Sequence, residues 1–298
     1  MLKKSELVVK SNDLIRASYT LGLVEQRLIL MAIVTARETG LGITADTLLE
    51  IRAMDYAQLF SVTKQAAYMA LSNAIETLFN RRATVQVYDE RRKGLRSLTV
   101  RWVTAMDYEE SMGLITLRFG HEVVPEITRL EANFTSYELE QVTGLKSAYA
   151  IRLYELLIQW RAAGKTPFFK IDVFRSQLGL TDGEYPRVEA FKRCILDLTV
   201  SQINEHTDIT VAYEQHKAGR VITGFTFSLK PKKQPKDVTP KTKPKPKSKN
   251  TGDGEIEALL KNKEWVSRHA QTGESWEDAR ARLRREAETG KFSLAPTN

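Results

Sequence analysis

Apolar positions along this chain switch twice from a helical period to an alternating one, and the two switches share a layout. A period near 3.6 governs residues 23–37, a short apolar piece occupies 54–60, and a second periodic stretch covers 63–79. Thr63 stands where a hydroxyl can accept from the first unpaired amides, so the second helix is predicted to start there. Alternation then predicts strands over 83–88 and 98–104, joined by the basic turn 89–94, with a further strand over 114–119. The second copy begins with a predicted helix over 146–163, stopped at Gly164. A short piece over 171–178 follows, then a helix over 186–204 with Pro186 at its start, where a missing N–H costs nothing. Strands over 209–213 and 221–229 close it, with Gly219 in the turn. Leu71, Ile75 and Leu78 have the spacing of Phe191, Ile195 and Leu198, one apolar seam at i, i+4, i+7 in each copy.

Helix, helix, helix and β-hairpin is the order of a winged helix-turn-helix module, although another α+β arrangement would give the same order. The fold class predicted is α+β: two tandem winged-helix domains over 1–132 and 133–230, a disordered Lys/Pro linker over 231–254, and a short charged helical tail over 255–298. Length agrees, since 298 residues suffice for two domains and a tail. The linker rests on composition. Residues 230–249 hold nine lysines and five prolines and cannot bury a core. The formal net charge is +8, and with one aspartate in that stretch the rest of the chain is nearly neutral. A nucleic-acid signal in the folded part must therefore come from local patches.

The helix over 186–204 carries the best such patch. With Val188, Phe191, Ile195 and Leu198 in its seam, Arg193 lies opposite, Glu189 beside it, and Arg187 and Lys192 flank the first turns. A recognition helix presents its N-terminal half to the major groove, where Arg can take guanine O6 and N7 and Glu can accept from cytosine. A solvated helix face would carry the same residues. The matching helix of the first copy exposes Gln65, Met69, Ser72, Asn73 and Glu76 and no Arg. Its basic residues come later, at Arg81, Arg82, Arg91, Arg92, Lys93 and Arg96, a placement suited to a wing or backbone contact. A plain solvated hairpin explains them equally well.

Several motifs in order carry a family likeness: Ser11-Asn-Asp-Leu-Ile15, Val24-Glu-Gln-Arg-Leu-Ile29, Phe134-Thr-Ser-Tyr-Glu-Leu139, Leu145-Lys-Ser147 and Ser147-Ala-Tyr-Ala-Ile-Arg-Leu-Tyr-Glu-Leu-Leu157. Over residues 8–230 the chain resembles the iteron-binding replication initiators of theta-replicating bacterial plasmids. The resemblance implies two winged-helix domains, the second gripping one end of each double-stranded DNA repeat through the helix over 186–204. The first domain would touch the other end in monomers and form the interface in a homodimer. It further implies monomers that help open an A·T-rich duplex, dimers that repress an operator, and a host initiator, replicative helicase and chaperones as partners. Lys146, Ser147, Tyr149 and Arg152 fall where a helix start could hold phosphate, with Tyr149 and Tyr154 also placed for a core role. Leu7, Leu14, Leu21 and Leu28 resemble a zipper-like stretch of the family. Gly22 and its neighbours break that helix, so two short helices packed into the first domain are expected, placed where they could still border the dimer interface.

No chemistry of catalysis is legible. The four histidines are scattered with no His-x-His pair, and Gly144-Leu-Lys-Ser147 lacks the loop of a nucleotide-binding motif. One cysteine, Cys194, forms no disulfide framework or zinc cluster and fits a reducing compartment as a small buried hydrophobe. The longest strictly apolar run, residues 28–34, is far below the roughly 18 residues of a membrane span, and the first residues lack the apolar core of a secretion signal. A non-enzymatic, cytoplasmic protein without cofactor or metal is expected. A sequence-specific transcriptional regulator built from the same modules is the alternative.

Overall fold

The computed structural model describes residues 6–232 apart from 45, 90, 92 and 129–132, together with residue 260 and residues 276–288. The chain divides into two units, 1–236 and 237–298. Within the second, the described helix covers Trp276–Glu288; the rest of the predicted linker and tail lies outside the described residues.

The first unit opens with β1 (Leu7–Ser11), α1 (Asn12–Arg16) and β2 (Ser18–Tyr19). The zipper-like register is therefore no coiled coil: the chain breaks at residues 17–22 into two helices packed into the core, α1 carrying Leu14 and the next helix carrying Leu28. Leu7 stands in a strand, and Leu14, Leu21 and Leu28 are buried in the core. Then comes α2 (Leu23–Thr39), apolar on nearly every side and buried accordingly. Its start is held by Glu25, whose carboxylate accepts from the Gly22 amide at 2.5 Å. Next are β3 (Leu49–Arg52), α3 (Ala53–Leu59) and α4 (Lys64–Leu78), with Thr63 capping the last as its spacing predicted, by accepting from the Ala66 amide. The hairpin of β4 (Arg82–Asp89) and β5 (Gly94–Arg101) joins β2 in a sheet of order β2-β4-β5, while β6 (Val103–Glu109) and β7 (Leu114–Phe119) join β3 in the order β3-β7-β6. Helix α5 (Val124–Thr128) and β8 (Phe134–Glu138), the latter paired antiparallel with β1, complete this part.

The second module follows α6 (Glu140–Thr143) with α7 (Ala148–Ile158), β9 (Phe169–Lys170) and α8 (Ile171–Leu178). Its third helix begins as α9 (Val188–Phe191), passes through one π-helical turn (Lys192–Leu196) and continues as α10 (Asp197–His206). Strands β10 (Ile209–Ala218) and β11 (Val221–Pro231) form the wing in a sheet of order β10-β11-β9. Phe174, Phe191, Phe225 and Phe227 pack against one another edge-on or tilted as the aromatic core of this module.

The π turn corrects the predicted seam. An extra residue in one turn shifts everything after it around the helix axis. The buried row is Phe191, Ile195, Thr199 and Ile203, at i, i+4, i+8, i+12, with Leu196 buried beside it, and Leu198 is 56% exposed. In α4, which has no such turn, Leu71 and Leu78 are buried and Ile75 half-buried as the spacing predicted.

Gly179 ends α8 at φ 88°, and a Cβ there would lie 2.6 Å from the Tyr19 carbonyl oxygen. Gly183 has φ 89° with open space around it. Gly179→Ala should therefore cost about 2–3 kcal/mol, backbone strain plus displacement of β2, whereas Gly183→Ala should cost about 1 kcal/mol. Urea unfolding of the two variants side by side checks this, and equal losses would remove the steric part of the account.

Candidate nucleic-acid interface

The helix-turn-helix of the second module is fixed from beneath. Arg175 on α8 donates through Nη1 to the Tyr185 carbonyl at 3.0 Å and lies over the Phe191 ring, so the turn and the start of α9 are held together. Glu184 closes the turn by accepting from the Thr181 amide at 2.6 Å. On this platform Arg187 is the N-cap residue of α9, and Glu189 and Arg193 stand one turn apart on its exposed face. Among the described residues these three side chains make no hydrogen bond or ion pair. Lys192 is committed elsewhere: its Nζ donates to Gln215 Oε1 at 2.7 Å and lies over the Tyr213 ring. Cys194 sits half-buried in the π turn.

The start of α7 is wedged between the two modules. Arg27 on α2 donates to the carbonyls of Leu145 and Thr143 at 3.0 and 3.3 Å, and the Lys146 amide donates to Gln202 Oε1 on α10 at 2.8 Å. A cleft of about 420 Å³ opens there, lined by Leu23, Phe60, Val62, Gly144 and Lys146 among others. Lys146 is exposed beside it, Ser147 is half-buried, and Tyr149 is half-buried with its hydroxyl toward Glu184. Tyr154 is fully buried, its hydroxyl donating to Asp208 at 2.9 Å.

Arg152 does not belong with them. It is 2% exposed and its guanidinium is spent on the carbonyls of Ile15, Ala17 and Gln177, on Glu155 and on the Tyr19 hydroxyl. Placing it at a phosphate-holding helix start is corrected: α7 is buried on every side from Ala150 to Ile158, so position 152 faces protein whatever its rotation.

In the first module Gln65 is exposed near the start of α4. Arg81 is bound to both carboxylate oxygens of Glu25, at 2.9 and 3.0 Å, and staples β4 to the start of α2. Arg91 and Lys93 are exposed at the tip of the β4–β5 hairpin, Lys93 at φ 49°, and Arg92 lies outside the described residues. The wing of the second module offers a basic pair that the apolar pattern does not single out. Lys217 and Arg220 are exposed on either side of Gly219, which turns at φ 62°. The signal was present as two basic residues flanking a turn glycine, the same pattern weighed in the 89–94 turn. No described helix is long and apolar enough to cross a membrane.

Comparison with known proteins agrees with this geometry. The family model described as "Initiator Replication protein, WH1" matches residues 7–158, and "Initiator Rep protein, WH2" matches residues 170–229. Helix α7, which the apolar pattern groups with the second copy, falls inside the first match and packs on α1, α8 and α10. An uncharacterized 27.6 kDa protein of Escherichia coli is 25% identical over 246 residues, covering 79% of this chain and 98% of its own length. A replication initiation protein of Escherichia coli is 25% identical over 231 residues, covering 76% and 70%. The crystal structure of Pi initiator protein in complex with iteron DNA aligns with TM-score 0.60 at 22% identity, over 76% of this chain and 98% of that one, a likeness of fold. With both of its modules matched, the chain belongs to the family of initiator replication proteins, WH1 followed by WH2.

Proposed function

We propose that this protein initiates plasmid replication by binding repeated double-stranded DNA sites, the iterons, with α9–α10 in one major groove and α4 in another. One observation carries the reading: Arg187, Glu189 and Arg193 stand exposed and uncommitted on a helix whose turn Arg175 locks in place. Side chains held ready on a rigid helix can read base edges, while Lys146, Arg91, Lys93, Lys217 and Arg220 supply backbone contacts that set register. A homodimer that represses an operator, in exchange with a monomer that occupies iterons, belongs to the same reading. So do the host initiator, the replicative helicase and chaperones as partners. The test is a plasmid whose own replication gene is deleted, carrying the DNA that flanks this gene in a host that supplies the protein in trans. Maintenance of the plasmid supports initiation; binding without maintenance leaves a transcriptional regulator.

Arg193→Ala should weaken binding to the cognate repeat by about 1–3 kcal/mol and leave random duplex binding nearly unchanged. Fluorescence anisotropy on both duplexes checks it. Equal losses on the two would make Arg193 a phosphate contact.

A further inference from the structure

The junction between the two modules is built around one carboxylate. Glu155 on α7 is fully buried and accepts from Lys10 Nζ at 2.7 Å, from the Tyr137 hydroxyl at 2.7 Å, from Arg152 Nη1 at 3.0 Å and from the Tyr19 hydroxyl at 3.3 Å. Arg152 extends this cluster across the seam. Its Nη2 donates to the carbonyls of Ile15 at 2.8 Å and Ala17 at 3.0 Å, and to that of Gln177 at 2.7 Å. The first two belong to the α1–β2 segment, which feeds the sheet of the first module's wing; the third lies in the last turn of α8, the helix that supports the second module's reading helix. Polar contacts continue along the same line. Ser18 and Ser176 hydroxyls meet at 2.8 Å, and Thr20 Oγ1 donates to the Gly179 carbonyl at 3.0 Å.

From this we propose that Arg152 is the positioning residue that fixes the distance and rotation between the two DNA-reading helices, so that it sets which separation of two half-elements the protein accepts. This inference rests on the two-module DNA reading above. A guanidinium with five donors in a rigid plane fixes the relative placement of the groups it bridges; an apolar seam, having no directional bonds, does not. The stakes are geometric. One inserted base pair moves a half-element about 3.4 Å along the duplex and roughly 34° around it. A rigid pair of modules cannot follow that displacement, and a loosened pair can.

The test uses the full chain and a duplex library with a randomised stretch of about 30 base pairs, long enough for two half-elements about one helical turn apart. The intact protein, Arg152→Lys, and the triple variant Ser18→Ala, Thr20→Val, Ser176→Ala each undergo selection. The triple variant loosens the seam without disturbing a buried charge and serves if Arg152→Lys does not fold, as judged by cooperative thermal unfolding. Intact protein should enrich two elements at one separation, with affinity falling about tenfold or more when a base pair is inserted, a difference of about 1.4 kcal/mol. The variants should enrich the same two elements at several separations, with a loss of less than about threefold, under 0.7 kcal/mol by the same relation. A merely structural role would lower stability or total affinity and leave the separation sharp, and that result in every variant that folds would overturn the inference alone. A single enriched element for the intact protein would overturn the two-module reading and the inference with it.

Discussion

Glu155→Gln should cost about 3–5 kcal/mol, a large part of the 5–15 kcal/mol that a folded chain of this kind holds in reserve. The side chain keeps its shape and loses its charge. Lys10 and Arg152, 1% and 2% exposed, are then left as two buried cations with no anion between them. Breaking a buried pair from one side is costly because the remaining charge stays desolvated. Removing the second partner should return part of the loss, so Lys10→Met with Glu155→Gln should be more stable than Glu155→Gln alone. Urea unfolding of the two single variants and the double gives the coupling; additive losses would mean that Lys10 and Glu155 act independently. The pH profile offers a second check. Burial lowers the Lys10 ammonium against the attraction of Glu155. The unfolded chain therefore holds more protons between that lowered value and the ordinary value of about 10.4, and stability rises with pH across the window. Without Glu155 the window widens, so the deficit of the variant should narrow as pH climbs toward 10. Above that, the buried Tyr19 and Tyr137 hydroxyls oppose it. Burial first, and then the charge of Glu155, hold both well above the ordinary phenol value, although Arg152 pulls Tyr19 partly back. Their folded form keeps protons that the unfolded chain gives up, so stability falls above pH 10 by about 1.4 kcal/mol per unit for each. For Glu155 itself burial acts upward, and Lys10 and Arg152 outweigh it to hold the carboxyl below its usual range. That contribution is present above the unfolded value and fades as pH drops through it toward the folded one.

The elements that the apolar pattern could predict are those whose period survives from end to end. Helix α4 formed over Lys64–Leu78 with its Thr63 cap, α8 over Ile171–Leu178, and the second wing hairpin lies where alternation placed it, whereas the return strand of the first runs Gly94–Arg101 instead of 98–104, with β6 starting at Val103. Two features were beyond it. The π turn at Lys192–Leu196 leaves no local mark, because one extra residue in a helical turn keeps the composition and shifts only the phase. Strand β1 was read through its leucine spacing, although Leu7-Val-Val-Lys10 is β-branched enough to suggest a strand. Arg152 was misplaced for a reason the sequence did contain. From Ala150 to Ile158 every residue except Arg152 and Glu155 is apolar, and a helix apolar all round is a buried one. Two opposite charges three apart in such a helix had to be partnered inside. What could not be read was the third partner, Lys10, which lies 145 positions away. On the candidate interface, surface exposure of Arg187, Glu189 and Arg193 followed from the seam near Phe191, whereas the commitment of Lys192 to Gln215 depended on a strand that pairs only in the fold.

A chain ending after Lys232 should keep its fold and its preference for the cognate repeat while losing affinity for all DNA. The cut belongs there and not after residue 229, where the apolar pattern places it. Strand β11 runs to Pro231, the Lys232 amide donates to the Asp208 carbonyl at 2.7 Å, and its Nζ donates to the Asn204 carbonyl at 2.6 Å. Residues 233–249, outside the described residues, hold seven lysines and one aspartate, most of the formal net charge of +8. An ammonium on a long stem is a point charge without the planar donor fork that matches a base edge, so these lysines add affinity and little sequence preference. Each phosphate neutralised contributes a slope of about −0.9 to log K against log salt. If four or five of the seven engage together, truncation should make the slope shallower by about 4 units on cognate and random duplex alike. At low salt that is a loss of a hundredfold or more by the same relation, and near 0.5 M salt the two proteins should nearly coincide. Titrations of intact and shortened chains at four salt concentrations on both duplexes decide it. Identical slopes would show that the segment is a spacer whose charge serves solubility. A loss confined to the cognate repeat would instead mean that residues beyond Lys232 take part in reading sequence, and the division of labour between folded modules and basic segment would be wrong.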